Sequence, residues 1–388
     1  MKSTRIASLD GLRAISIALV ITNHIARGFS DSDGQNSLGQ EFVRFFRVGH
    51  LGVMIFFVIS GFLITSLLLK EDRVNLSRFY FRRTMRIFPP FYAYLTFIVL
   101  LKLAGVLHSS SYNIFAAFSY TTNFCFKCAE EGSWFTGHTW SLAIEEQFYL
   151  LWPPVLWLIG RTRSLWVALG VLCLCPLIRL FIVLTDPGSG LEFFTFSTVA
   201  DSLAVGCVLA SVRPRLHENR LYISLMESKI VVLAPVLSLL IVWLGDVMSL
   251  SAKPVYVLLA VSLQNVCVAI TLDWCISYPG GAIGRMLNAR AIVFFGTISY
   301  SLYLWQQPFL FSGLDGPIWN FPLNVVFIAI ATLGSYYLVE TPSLKVRQRL
   351  DEWWSRNRAK QGFNRSFSRE TPVDLKSEDA VGGITNLA

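Results

Sequence analysis

Ser8-Leu9-Asp10-Gly11-Leu12-Arg13-Ala14-Ile15-Ser16-Ile17-Ala18-Leu19-Val20-Ile21-Thr22-Asn23-His24 reads as a membrane helix with an arginine near its start and a histidine near its end. A charged residue at the centre of such a helix costs roughly 2.5 to 3.5 kcal/mol on insertion scales, so ionisable groups here point to a task that leucine cannot perform. The spacing, 24 − 13 = 11 residues, is about three helical turns and puts both side chains on one face, about 16 Å apart. That is the length of an extended arm. It implies a small molecule held at one membrane surface with its reactive end presented deep inside.

The same apolar grain runs through the chain, which is 54% hydrophobic over 388 residues with mean hydropathy +0.53. Runs near twenty residues match a hydrocarbon core about 30 Å thick. The expected fold is therefore all-α, a polytopic transmembrane bundle of about ten spans, at roughly 10–28, 50–70, 88–107, 140–160, 165–185, 195–212, 229–248, 254–272, 291–312 and 322–341. The first run is interrupted by Arg13 and His24 and lacks a small-residue cleavage site, so it reads as a retained helix. Residues 1–350 form one membrane domain. The tail 351–388 opens on Trp353 and Trp354 and then turns polar, an interfacial helix end followed by disorder.

A net charge of +8 would invite a nucleic-acid reading in a soluble protein, but the basic residues sit in short loops between spans. Lys70, Arg73, Arg78, Arg82, Arg83 and Arg86 follow the second span, and Arg213, Arg215, Arg220 and Lys229 follow the sixth. Those loops are assigned to the cytoplasm together with both termini, and nucleic-acid binding is set aside. The main exceptions to the bias are Arg44 and Arg47, which fall on the opposite side. Cys125 and Cys128 form the one CxxC; without a second pair it reads as a local disulfide rather than a metal site, and no metal is expected.

Two constellations carry chemistry. In Arg78-Phe79-Tyr80-Phe81-Arg82-Arg83-Thr84-Met85-Arg86, helical spacing brings Arg82 and Arg83 within one turn of Arg86, so three guanidiniums converge. Such a cluster suits phosphate; it equally suits a topological anchor in contact with lipid head groups. The second constellation lies in the outer half of the bundle, where the threading gathers His24, Glu145, Glu146, Arg179, Asp201, Trp305, Gln306 and Gln307. A neutral His24 beside a carboxylate has the chemistry of a general base, with Glu145 or Glu146 orienting the ring; the plainer reading of a membrane histidine is a packing hydrogen bond. Arg179 and Asp201 read either as ligand contacts or as two groups that satisfy each other. Glu340 falls near the arginine cluster and is expected to pair with it, fixing the last span against the third.

These residues resemble the acyltransferase-3 family of integral-membrane O-acyltransferases. The resemblance runs through Leu9-Asp10-Gly11-Leu12-Arg13 with His24, Gly52 to Ile64, Phe79-Tyr80 with Arg83-Thr84-Met85-Arg86 and Pro89, Trp140-Ser141-Leu142 with Glu145-Glu146-Gln147-Phe148-Tyr149, Ile298 to Trp305, and Glu340-Thr341-Pro342. It implies a ten-helix enzyme of the bacterial inner membrane that moves an acyl group, usually acetyl, from cytoplasmic acetyl-CoA to a hydroxyl of an envelope glycan or lipid-linked sugar. It implies that Arg13, His24, Arg83 and Arg86 are essential. With Arg82, the arginines are the expected donor-binding set; His24, Glu145 and Glu146 the catalytic set, His24 acting as base or as a transient acyl carrier; Arg179, Asp201, Trp305 and Gln306 the acceptor-binding set. Two positions depart from the family: Gln306 stands where a histidine is common, and Thr198-Val199-Ala200 precede Asp201 where an arginine is common. The rivals from other classes are a sugar or lipid transporter and an inactive membrane scaffold. Transporters of many folds show inverted repeats, and this chain shows none.

Overall fold

The computed structural model describes residues 6–30, 44–71, 73–124, 134–248, 251–310 and 316–367. The Cys125/Cys128 pair and the tail from 368 onward lie outside the described residues. Helices account for the architecture: α1 Ala7–Ser30, α2 Gly49–Lys70, α3 Leu76–Leu103, α4 Trp140–Thr185, α5 Phe196–Leu216, α6 Leu233–Val247, α7 Val261–Ser277, α8 Arg290–Phe309, α9 Leu323–Ser335 and α10 Thr341–Phe367. No strand occurs among the described residues.

By length and composition, seven helices among these residues can cross a membrane, or eight if the bent pair Arg220–Glu227 and Lys229–Gly245 counts as one span. With the bent pair counted as one span, the difference from ten arises at two places. Two expected spans run together in α4, whose 46 residues would stretch about 69 Å, twice what a bilayer core requires. The helix breaks at Gly160, where φ is 78°, a left-handed value that glycine adopts without steric cost. In α8, the serines, tyrosines and Gln306-Gln307 lower the hydropathy, and the helix is not among the seven.

The helix that carries Arg13 and His24 is held between α2 and α8 by backbone-to-backbone contact. A Cβ on Gly52 would meet the Ser16 carbonyl, and one on Gly296 would run into the backbone of Asp10. Small residues at such crossings let membrane helices approach closely, where van der Waals packing drives association. The core around α1 is built from Ile17, Val20, Met54, Phe57, Tyr94 and Leu304, all buried.

The last helix is tied to α3, though not by the residue expected. Glu340 ends a π-helical turn, Tyr336–Glu340, and its Oε2 accepts from Ser301 of α8 at 2.8 Å. The tie to α3 is made eleven residues, about three helical turns, later: Asp351 of α10 takes Arg82 at 2.8 Å and Arg78 at 3.2 Å.

Candidate active site

Two cavities open along α1. The first gathers Arg13 of α1 with Arg83 and Arg86 of α3, and with Glu145, Glu146 and Tyr149 of α4. It is narrow, about 90 Å³. Three guanidiniums therefore converge as the sequence requires, but the third comes from another helix. Arg82 turns away toward Asp351, because residues i and i+1 on a helix point about 100° apart and only one of Arg82 and Arg83 can face the bundle. Arg13 is steadied by Asp10 at 3.2 Å, and Arg83 lies over the Tyr149 ring at 4.4 Å. A cluster of planar, permanently charged forks is what phosphate oxygens require.

The carboxylates belong to this arginine cavity and not to the histidine. Glu145 accepts from Ser60 at 2.8 Å and from Tyr149 at 3.2 Å, and neither Glu145 nor Glu146 lines the cavity of His24. The reason is axial rise. Five residues separate Trp140, which faces His24, from Glu145, and at 1.5 Å each they carry the carboxylate about 7.5 Å toward the arginines. Ser60 of the Ile59-Ser60-Gly61 motif thus acts as the carboxylate's anchor.

The second cavity is larger, about 650 Å³, and holds Asn23, His24, His50 and His138 among aromatic rings that include Trp134 and Trp140. His24 Nδ1 meets Gln306 Oε1 at 2.8 Å. The amide's own contacts fix the proton. Gln306 Nε2 donates to Gln307 Oε1 at 3.1 Å and to the Tyr303 carbonyl at 3.4 Å, so its oxygen faces the imidazole. Nδ1 then carries the hydrogen and Nε2 is the basic nitrogen. At Nδ1 the ring thus meets not Glu145 or Glu146 but Gln306, the residue that departs from the family pattern. Trp134 closes over the ring, with centroids 5.8 Å apart, while its Nε1 donates to the Gln307 carbonyl at 2.8 Å.

His138 was not singled out by the sequence, although His138-Thr139 directly precede Trp140-Ser141-Leu142. It is buried, and neither ring nitrogen has a hydrogen-bond partner among the described residues. Buried polar atoms without a well-formed hydrogen bond are rare in folded proteins, which makes His138 a candidate for ligand contact. Tyr303 secures the segment, its Oη donating to the His138 carbonyl at 2.6 Å and lying 2.7 Å from Ser141 Oγ. Val53 and Tyr303 line both cavities, so the two meet there.

Three residues of the expected acceptor set lie elsewhere. Arg179 and Asp201 form a buried ion pair at 2.9 Å, the mutual arrangement that was the alternative reading. The remaining guanidinium donors go to the Val257 and Thr198 carbonyls and to Ser262 Oγ. Trp305 packs on Tyr94 and Phe97 with ring centroids 5.5 and 5.0 Å away and lines neither cavity. Among the described residues no group of three or more His, Cys, Asp or Glu has the arrangement of a metal site.

Comparison with known proteins gives this geometry a family. The model of an acyltransferase domain matches residues 6–340. The putative peptidoglycan O-acetyltransferase YrhL of Bacillus subtilis is 30% identical over 369 residues, covering 87% of this chain and 54% of its own. The peptidoglycan O-acetyltransferase OatA of Listeria monocytogenes is 30% identical over 375 residues, covering 88% and 56%, and the O-acetyltransferase OatA of Staphylococcus aureus is 27% identical over 368 residues, covering 87% and 57%. The chain spans about half the length of these relatives. No solved structure matches it. With an arginine cavity and a histidine cavity set along one membrane helix and the match extending over nearly all of the bundle, the chain belongs to the acyltransferase-3 family.

Proposed function

We propose that this protein is a membrane O-acetyltransferase that takes an acetyl group from cytoplasmic acetyl-CoA and places it on a hydroxyl of an envelope glycan of the peptidoglycan class, in the bacterial inner membrane with both termini in the cytoplasm. The observation that carries the reading is the pair of cavities that meet at Val53 and Tyr303, one holding Arg13 and the other His24, on a single helix. The names of the curated relatives support the acyl group and the acceptor class.

The residues divide the work by charge. Arg13, Arg83 and Arg86 pair with the donor's phosphate oxygens, and Glu145 and Glu146 offset part of the charge of three buried guanidiniums. The donor supplies a thioester carbonyl and a thiolate leaving group. His24 Nε2 takes the proton of the acceptor hydroxyl as the oxygen forms its bond to the carbonyl carbon. The carbon–sulfur bond breaks, and His24 returns the proton to the departing sulfur. Gln306 holds Nδ1–H throughout, so the imidazole needs no reorientation between the two transfers. It lacks the negative charge that would stabilise an imidazolium, a difference from a carboxylate-backed histidine.

Calorimetry with acetyl-CoA tests the donor half without knowledge of the acceptor. Arg83→Gln/Arg86→Gln is expected to weaken binding by about 100-fold or more, since each charge-assisted hydrogen bond contributes about 1.5 to 3 kcal/mol. Arg82→Gln is expected to leave affinity unchanged, because its guanidinium is engaged by Asp351. Equal affinity in the double variant and wild type removes the phosphate role from these arginines.

A further inference from the structure

The His24 cavity has a one-sided charge. Asn23, three histidines and Arg47 supply its polar lining, and no aspartate or glutamate among the described residues contributes to it. Glu192, next in sequence to the cavity residue Phe193, is buried in an ion pair with Lys253. Arg47 itself is exposed at the cavity and its guanidinium makes no hydrogen bond or ion pair among the described residues. Its position is also anomalous. Arg13, Arg83 and Arg86 mark one end of α1, and Arg47 lies with His24 at the other, where the loop charge bias of a membrane protein disfavours arginine. An arginine retained against that bias, lining a cavity in which the described residues supply neither an ion-pair partner for it nor any acid, has the character of a binding group.

The walls suit a sugar. Trp134, Trp140, Phe193 and Tyr256 present aromatic surface around the cavity, and a pocket of about 650 Å³ accommodates saccharide-sized ligands. Aromatic faces pack against the C–H face of a pyranose ring, while a few polar groups fix its orientation.

We propose that the acceptor is an oxyanion-bearing saccharide whose carboxylate or phosphate pairs with Arg47 at the mouth of this cavity while its sugar ring lies among Trp134, Trp140 and Phe193, turning a hydroxyl toward His24. This rests on the acyltransferase reading for the role of the site, but the binding preference is measurable without any acyl transfer. Arg47 selects the anionic acceptor and orients it; it takes no part in the chemistry at the thioester.

The test is calorimetry on the full chain in nanodiscs with three tetrasaccharides: alternating N-acetylglucosamine and N-acetylmuramic acid with free carboxylates, chitotetraose carrying 6-phosphates, and neutral chitotetraose. At least one anionic probe is expected to bind about 10-fold tighter than the neutral one, with a preference that shrinks as salt rises. Which of the two binds identifies the oxyanion. The preference is expected to vanish in Arg47→Gln and to survive in Arg47→Lys. Equal affinity for all three probes, a preference that persists in Arg47→Gln, or no binding of any probe overturns the inference. Acetyl transfer is scored separately in the same samples: transfer to all probes without an anion preference ends the Arg47 inference alone, whereas an Arg47-dependent preference with no transfer ends the acyltransferase reading and leaves the anion site standing.

Discussion

On the proposed function, His24→Ala is expected to lower acetyl transfer by ~10²- to 10⁴-fold, the range that general acid–base catalysis contributes, and to leave folding and acetyl-CoA affinity unchanged. The separation of effects follows from the geometry. His24 and Arg13 lie about three turns apart on α1, and His24 lines only the larger cavity, so truncating the imidazole leaves Arg13, Arg83 and Arg86 in place. The side chain removed is half-buried and hydrogen-bonded to Gln306, and its loss leaves that amide beside an open polar cavity where water can replace the ring. The readouts are the rate of radiolabelled acetyl ester formation and the acetyl-CoA affinity of the same preparation. Retention of wild-type rate in a folded His24→Ala protein contradicts the assignment of the base.

Arg179→Met destabilises the bundle by about 3 to 5 kcal/mol, the cost of breaking one side of a buried ion pair. Asp201 then keeps its charge in an interior where it is 1% exposed and has lost its counterion. The loss reaches further than one contact. Arg179 joins α4 to α5 through the Thr198 carbonyl, to the π-helical turn Tyr256–Ala260 through the Val257 carbonyl, and to α7 through Ser262. The double variant Arg179→Met/Asp201→Leu is expected to recover much of the stability, because it removes both charges together. Thermal melting in detergent with size-exclusion chromatography separates the three proteins. A stable Arg179→Met variant with a raised acceptor KM contradicts the structural role and returns Arg179 to the ligand contacts.

Much of this site is written in the spacing of residues along single helices. The face shared by Arg13 and His24 and the convergence of Arg83 with Arg86 follow from 3.6 residues per turn, and both appear in the structure. What single-helix spacing does not contain is the neighbour across the interface. It leaves open whether Arg82 or Arg83 faces inward, and it gives no reason for Arg13 to complete the cluster; the Asp351 latch decides the first, and the second depends on α1 and α3 facing one cavity in the bundle. Depth is legible only coarsely. Assigning Glu145 and Glu146 to the half of the membrane in which their helix begins overlooked the turn and a half of α4 that carries them from His24 to the arginines. His138 is not legible in the sequence, because its interest lies in buried ring nitrogens without a well-formed hydrogen bond among the described residues, which no sequence displays.

Under the proposed function, one bundle receives the acetyl group at the arginine end and delivers it at the histidine end. Proteoliposomes with labelled acetyl-CoA sealed inside and peptide-stripped glycan strands outside test it most directly. Alkali-labile acetyl ester is expected on the external glycan, with no escape of acetyl-CoA and no ester in vesicles carrying His24→Ala. Glycan that crosses the membrane unmodified, or ester that forms only when both substrates share one compartment, contradicts it.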